Sequence, residues 1–306
     1  MDENASIVIA GATIAASKTA CTLIQKISDA TGWIFAPYQI KRTALAKADA
    51  ARILAEADRQ IKAKDAVSRV ETEEKINDIH YRASIRHAAE EVKKQANMES
   101  VLAQAIPQIT DGARPEAVDD DWIVNFFDKC RIVSSAEMQA LWAKVLAGEA
   151  NSPGTYSKRT VNFLQTLEVP DAELFCTLCR FIWNVGGRTI PLIFDTKATD
   201  TIYTKHGINL ERLAHLADIG LINLNSATGY SITTTDKFLN ADYMGQKYQI
   251  SQGMAATNEV SVGHAMLSQV GRQLASVVPV AAVEGFRDYV IGKWEQGKVM
   301  TVSSIP

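Results

Sequence analysis

Residues 38–106 read YQIKRTALAKADAARILAEADRQIKAKDAVSRVETEEKINDIHYRASIRHAAEEVKKQANMESVLAQAI, with neither proline nor glycine between Pro37 and Pro107. Alanine, lysine, arginine, glutamate, aspartate and glutamine dominate the stretch, and summed over this length their propensities favour helix. One unbroken helix of that length would run about 100 Å. The large apolar residues, Ile40, Leu45, Ile53, Leu54, Ile61, Val67, Val70, Ile76, Ile79, Ile85 and Val92, are sparse and keep no strict heptad across the whole stretch. Pairs such as Arg52/Glu56 and Glu71/Lys75 at i,i+4 suit a solvated face. The apolar stripe thins between Ala63 and Ile79. The expectation is therefore a long helix, either continuous or bent into a helical hairpin.

Upstream, residues 5–17 (ASIVIAGATIAAS) carry no charge before Lys18. Thirteen uncharged residues fall short of the roughly 20 that a transmembrane helix needs. Two readings stand: a helix buried in a soluble bundle, or a short segment, extended through residue 36, that acts on a membrane. Gly11 and Ala15 form a small-xxx-small pair that suits close helix packing in either setting. Residues 22–36 look amphipathic, with Leu23 and Ile27 on one stripe and Gly32 as a helix stop before Trp33 and Phe35. The candidate membrane or oligomer contacts are Ile7, Ile9, Gly11, Ile14, Ala15, Leu23, Ile27, Trp33 and Phe35.

Composition narrows the classes. The chain has 306 residues, 47% hydrophobic and 22% charged, with a formal net charge of −3. That balance gives no bulk attraction to nucleic acid or an acidic membrane. Four cysteines are too few for a disulfide scaffold in a chain of this size, and Met1-Asp2-Glu3 is unlike the basic start of a secretory signal. The expected location is the cytoplasm, with attachment to or insertion in the inner membrane following only from the N-terminal segment.

Downstream of the long stretch, Asp111-Gly112, Pro115 and Asp119-Asp120-Asp121 read as a linker ending in a helix start. Trp122, Ile123, Phe126, Phe127 and Cys130 make an apolar helix face. Ser134 and Glu137 have capping-box spacing, and the helix they open carries Met138, Leu141, Trp142, Val145 and Leu146 and is expected to stop at Gly148. Ser157 caps a helix with Val161, Leu164 and Leu167, and residues 172–183 read as one more. Cys176 and Cys179 within it lack a second cysteine pair, and His80 and His87 lack a third ligand. No metal or cofactor is expected.

From Gly186-Gly187 the pattern turns toward strands. A helix at residues 209–219, then Gly220, a strand ending at Leu224, a turn and a strand at Tyr230-Ser231-Ile232 give the local order of a winged helix. Its helix offers Arg212 and His215 but also Glu211 and Asp218, so the wing reads as an interaction or structural module and nucleic acid is not expected. The fold class expected is mainly α: a long N-terminal helix or hairpin, a compact helical middle and a C-terminal winged-helix-like α+β unit. The boundaries are 1–38, 39–110, 111–185 and 186–306.

Several blocks resemble a bacterial family designated domain of unknown function 2806. They are Asp121-Trp122-Ile123, Phe126-Phe127-Asp128, the run from Ser135 through Glu137, Trp142 and Gly148-Glu149, and Pro153-Gly154-x-Tyr156-Ser157-x-Arg159-Thr160. The resemblance spans roughly residues 30–295, and the layout is more distantly similar to abortive-infection alpha proteins of phage defence. It implies a defensive bacterial protein but brings no catalytic residues. Its motif surface is Trp122, Glu137, Trp142, Glu149 and Arg159. No nucleotide loop, nucleophile elbow or zinc-protease helix occurs. The expectation is a non-enzymatic homo-oligomer in anti-phage defence, with the N-terminal segment as membrane-acting effector and the C-terminal part sensing a phage or host protein. The alternative is a soluble oligomeric scaffold without membrane activity.

Overall fold

The computed structural model describes residues 5–9, 12–33, 71–196, 201–236, 238–252, 258–296 and 300–305. The chain forms two compact units, Met1–Gln165 and Thr166–Pro306. Gly11, Phe35 and the first half of the long polar stretch lie outside the described residues, and so does the choice between continuous helix and hairpin.

The first unit opens with a correction. The apolar run expected as helix is an antiparallel hairpin of β1 (Ala5–Ile9) and β2 (Ala12–Ala16), in which Ile7 faces Ile14 and Ile9 faces Ala12. Ile7, Val8, Ile9, Thr13 and Ile14 are β-branched, and such side chains lose rotamer freedom in a helix and fit a pleated surface. Helix begins only at α1 (Lys18–Thr31), where the Ser17 hydroxyl accepts from the Ala20 N–H and Gly32 closes the helix at φ 68°. Ala20, Leu23, Ile24 and Ile27 are its buried side.

α2 (Glu71–Ala105) follows, then 3-10 turns at Ile106–Gln108 and Pro115–Ala117, α3 (Asp120–Cys130), α4 (Ala136–Asn151) and α5 (Lys158–Thr166). The helical middle has the expected elements with two shifts. Ser135, not Ser134, caps α4: its hydroxyl accepts from the Met138 N–H at 3.4 Å and donates to Glu137 at 2.6 Å. Gly148 does not end α4, which runs three residues further. A β-carbon there would lie 2.7 Å from the Tyr156 ring, so the glycine makes room for that aromatic. The core centres on Phe126, stacked on Trp122 at 5.0 Å and edge-on to Phe127 and Trp142.

The second unit overturns the winged-helix expectation. α6 is Val169–Cys179, and the chain then enters β3 (Ile182–Val185) and β4 (Arg188–Pro191). The two-residue turn Gly186-Gly187 has φ 57° and 75°, the primed geometry whose twist matches paired strands, so residues expected at the end of a helix become a hairpin. After α7 (Leu210–Asp218) come β5 (Ile222–Leu224), β6 (Tyr230–Thr234), β7 (Phe238–Tyr243), β8 (Gln246–Gln252), β9 (Asn258–Gly263), β10 (Ala265–Leu267), α8 (Gln269–Ala275), α9 (Phe286–Glu295) and β11 (Met300–Ile305).

A wing requires β5 and β6 to pair with each other. Instead β5 pairs with β10 and β6 with β9. The main element is a five-stranded antiparallel sheet in the order β11-β8-β7-β3-β4. This half is α+β, as expected, but it is organised on that antiparallel sheet and not on a winged helix. Its core is aromatic: Trp183 stacks on Tyr243 at 5.1 Å and meets Trp294 edge-on, while Phe286 joins Phe181, Tyr203 and Tyr243. The Tyr243 hydroxyl donates to Arg180 O and accepts the Val283 N–H, and burial raises its pKa.

Candidate functional site

α2 has two halves with opposite environments. Near its C-terminal end Met98, Val101, Leu102 and Ala105 are buried, and Asn97 donates to Arg131 O while Ser100 donates to Gln139. That face packs on α4. Every residue from Asp78 to Ala89 is exposed, and so are Glu91, Val92 and Lys93. Within this half Tyr81, Ile85, Ala88 and Val92 recur at spacings of four, three and four, which lines them along one face. Tyr81 is 62% exposed, Ile85 53% and Val92 71%. At about 100° per residue this stripe lies roughly 120° around the helix from the buried face, so docking α2 leaves it open. Flanking charges pair along the helix, Arg82 with Asp78, Arg86 with Glu90 and Lys94 with Glu91.

The N-terminal candidates divide. Ile7 and Ile9 lie on β1, and Ile14 and Ala15 on β2. Leu23 and Ile27 are buried within the first unit, where α1 packs on α3. Trp33 meets Phe127 edge-on at 5.8 Å. No described helix is long and apolar enough to cross a membrane.

The motif residues form no common cluster. Glu137 and Glu149 sit at opposite ends of α4, about 18 Å apart along its axis. Glu137 is exposed, and its bond from Ser135 lowers its pKa. Glu149 is 3% exposed, and its two oxygens accept the backbone N–H groups of Gly154 at 2.6 Å and Tyr156 at 2.8 Å. Trp122 Nε1 donates to Tyr156 O at 2.7 Å, and the Tyr156 ring covers Gly148. Ser157 then caps α5 through the Thr160 N–H. The Gly-Glu and Pro-Gly-x-Tyr-Ser blocks are thus the two sides of one buried carboxylate cradle that fixes the α4–α5 loop. Trp142 is buried beside Phe126, and Arg159 is exposed on α5.

The second unit brings together residues that sequence spacing does not connect. His215 Nε2 lies 2.6 Å from Asp171 Oδ1, joining α7 to α6 across an open groove of about 770 Å³. Glu173, Thr177, Glu211 and Arg212 also line it. Such a pair can exchange a proton, yet the Thr177 hydroxyl in the same groove donates to Glu173 O in its own helix. Forty-four residues separate Asp171 from His215, and no motif marks either. None of the four cysteines is in a disulfide, and burial pushes the thiols of Cys130 and Cys179 up, away from the reactive thiolate. No group of three metal-ligating side chains occurs among the described residues.

Comparison with known proteins adds one match. The sequence profile of a family described as Protein of unknown function (DUF2806) covers residues 81–291, more than half the chain. The chain belongs to the DUF2806 family. The DUF2806 match includes the exposed stripe of α2, the Glu149 cradle and all strands of the second unit except β11, and it leaves out the N-terminal hairpin and α1. No curated protein and no solved structure matches.

Proposed function

We propose that the protein is a non-enzymatic scaffold that self-associates through the exposed half of α2. The observation that carries this is the stripe Tyr81-Ile85-Ala88-Val92, solvent-exposed at coiled-coil spacing on a face that the described residues leave uncovered. Burying side chains of that size gains about 1.5–3 kcal/mol each, which favours a helix–helix partner. A second copy supplies the same stripe, and the mixed charges beside it suit pairing of like helices. The scaffold reading is taken ahead of the membrane-effector reading because Leu23, Ile24 and Ile27 already bury their side chains in the first unit. The setting in bacterial defence, with a phage or host protein as trigger, rests on the more distant similarity of the sequence layout to abortive-infection alpha proteins.

Sedimentation velocity on the full chain and on Ile85→Lys/Val92→Lys tests the proposal. The wild type is expected to assemble at micromolar concentration and the double variant to sediment as a monomer with unchanged circular dichroism. A monomeric wild type, or a variant that assembles equally well, would sink it.

A further inference from the structure

The outward face of the five-stranded sheet carries a polar row. Strand register sets Thr189 on β4 opposite Asn184 on β3, and Asn184 opposite Asp242 on β7. Directly opposed residues of neighbouring strands project from the same face, so a hydroxyl, an amide and a carboxylate stand side by side. The intervening residues Trp183, Val185, Ile190, Ala241 and Tyr243 are buried on the other face. Among the described residues the side chains of Thr189 and Asn184 make no hydrogen bond, and Asp242 takes only the Gly245 N–H at 3.4 Å. Lys247 stands opposite Asp242 on β8 without forming an ion pair with it.

This row lies in a groove of about 290 Å³, whose apolar wall comes from Ile182, Met244, Ala275 and Val280. Arg272 of α8 also lines it. One guanidinium nitrogen of Arg272 donates to Leu267 O, and its remaining donors are uncommitted among the described residues. Met244 adds a second, independent sign. It occupies the first position of the β7–β8 turn at φ 51°, a left-handed conformation in which glycine or asparagine is the ordinary choice. A 36% exposed methionine is held there against its backbone preference, with its side chain on the groove wall.

We propose that this groove binds a small zwitterion of amino-acid size with an aliphatic side chain. Its ammonium sits on Asp242 beside Asn184 and Thr189, its carboxylate on Arg272, and its side chain between Ile182, Met244, Ala275 and Val280. Charge complementarity selects this class. A simple anion would face the Asp242 carboxylate, a simple amine would leave Arg272 unanswered, and an uncharged apolar body would answer neither. The volume is at the small end of the range for ligand sites, which is about 300–1,000 Å³.

Calorimetric titration of the full chain with L-leucine, L-isoleucine and L-methionine tests this, alongside leucinamide, which lacks the carboxylate, and 4-methylpentanoate, which lacks the ammonium. Saturable binding of at least one amino acid is expected, with both analogues at least about tenfold weaker, the effect of losing one charge-assisted hydrogen bond. Asp242→Asn is expected to remove the preference for leucine over 4-methylpentanoate, and Arg272→Gln the preference over leucinamide. The proposal is overturned if none of the three amino acids binds at about millimolar concentration. Equal binding of leucine and either analogue to the wild-type chain overturns it as well, and that comparison does not depend on any variant folding.

Discussion

Glu149 shows how a residue with a catalytic look can be committed to the fold. Its carboxylate is buried and spends both oxygens on backbone N–H groups of Gly154 and Tyr156. Glu149→Ala leaves the buried Tyr156 N–H without its acceptor and turns the exposed Gly154 N–H over to water, and it is expected to destabilise the protein by about 2 kcal/mol, with Glu149→Gln costing less because one acceptor oxygen remains. Urea unfolding of the two variants measures this, and a loss under about 0.5 kcal/mol for the alanine variant would refute the cradle. Asp119 acts at the surface. Its pKa is lowered chiefly by the hydrogen bond from Lys158 and then by the Trp122 N–H that it caps. A depressed folded pKa means that the stabilisation is present above the unfolded carboxylate value and is lost as pH falls through the folded one. Asp119→Ala is therefore expected to cost about 1 kcal/mol at neutral pH, most of it from the cap because solvent screens the exposed ion pair. The difference from wild type should begin to shrink as the pH falls below about 4 and go on shrinking through the lowered folded value. Thermal unfolding at pH 7 and pH 3 checks both the size and the direction.

Among the elements, some caps were legible, while the α4 cap was expected one residue early and its stop three residues early, and the strand pairings were not legible. Ser157 at the start of α5 announces itself through local chemistry, whereas the glycine pair at 186–187 marks only the change toward strands and not the hairpin that it closes. Met244-Gly245 does not announce itself, since methionine is an unfavoured residue for the left-handed turn position that it fills. Met244→Gly is expected to raise stability by about 1 kcal/mol through relief of that conformation, seen as a higher denaturant midpoint. A lower midpoint would mean that the side chain contributes more packing than its backbone costs. The helical middle was readable because each helix buries a stripe whose period is visible in one segment. β5 and β6 misled for the opposite reason. Their spacing suits a local hairpin, while their partners β10 and β9 come roughly 25 to 45 residues later in the chain.

For the whole molecule, self-association couples stability to concentration. If the α2 stripe is buried between copies, the apparent Tm should rise with protein concentration, because association favours the folded, paired state by mass action. Scanning calorimetry over about a hundredfold range of concentration should show that slope for the wild type and none for Ile85→Lys/Val92→Lys. A concentration-independent Tm in both would place the stripe outside any interface. The sequence contained the 4-3-4 spacing, but it was obscured within a stretch that keeps no heptad overall. Only the burial of Met98, Val101, Leu102 and Ala105 on another side of the helix separates the docked face from the open one.

By itself the sequence determined the helix-forming character of residues 71–105, the amphipathic helices from Asp120 to Thr166, the change toward strands at Gly186-Gly187 and the family blocks. These depend on intrinsic propensity, side-chain caps and period, all properties of contiguous residues. The tertiary structure decided that the charge-free N-terminal run is a hairpin and that α4 passes through Gly148. It also decided that Glu149 serves a loop, that β5 and β6 take distant partners, and that Thr189, Asn184 and Asp242 share one row. Those outcomes depend on which surfaces meet after the chain has folded back on itself, and no local pattern records that.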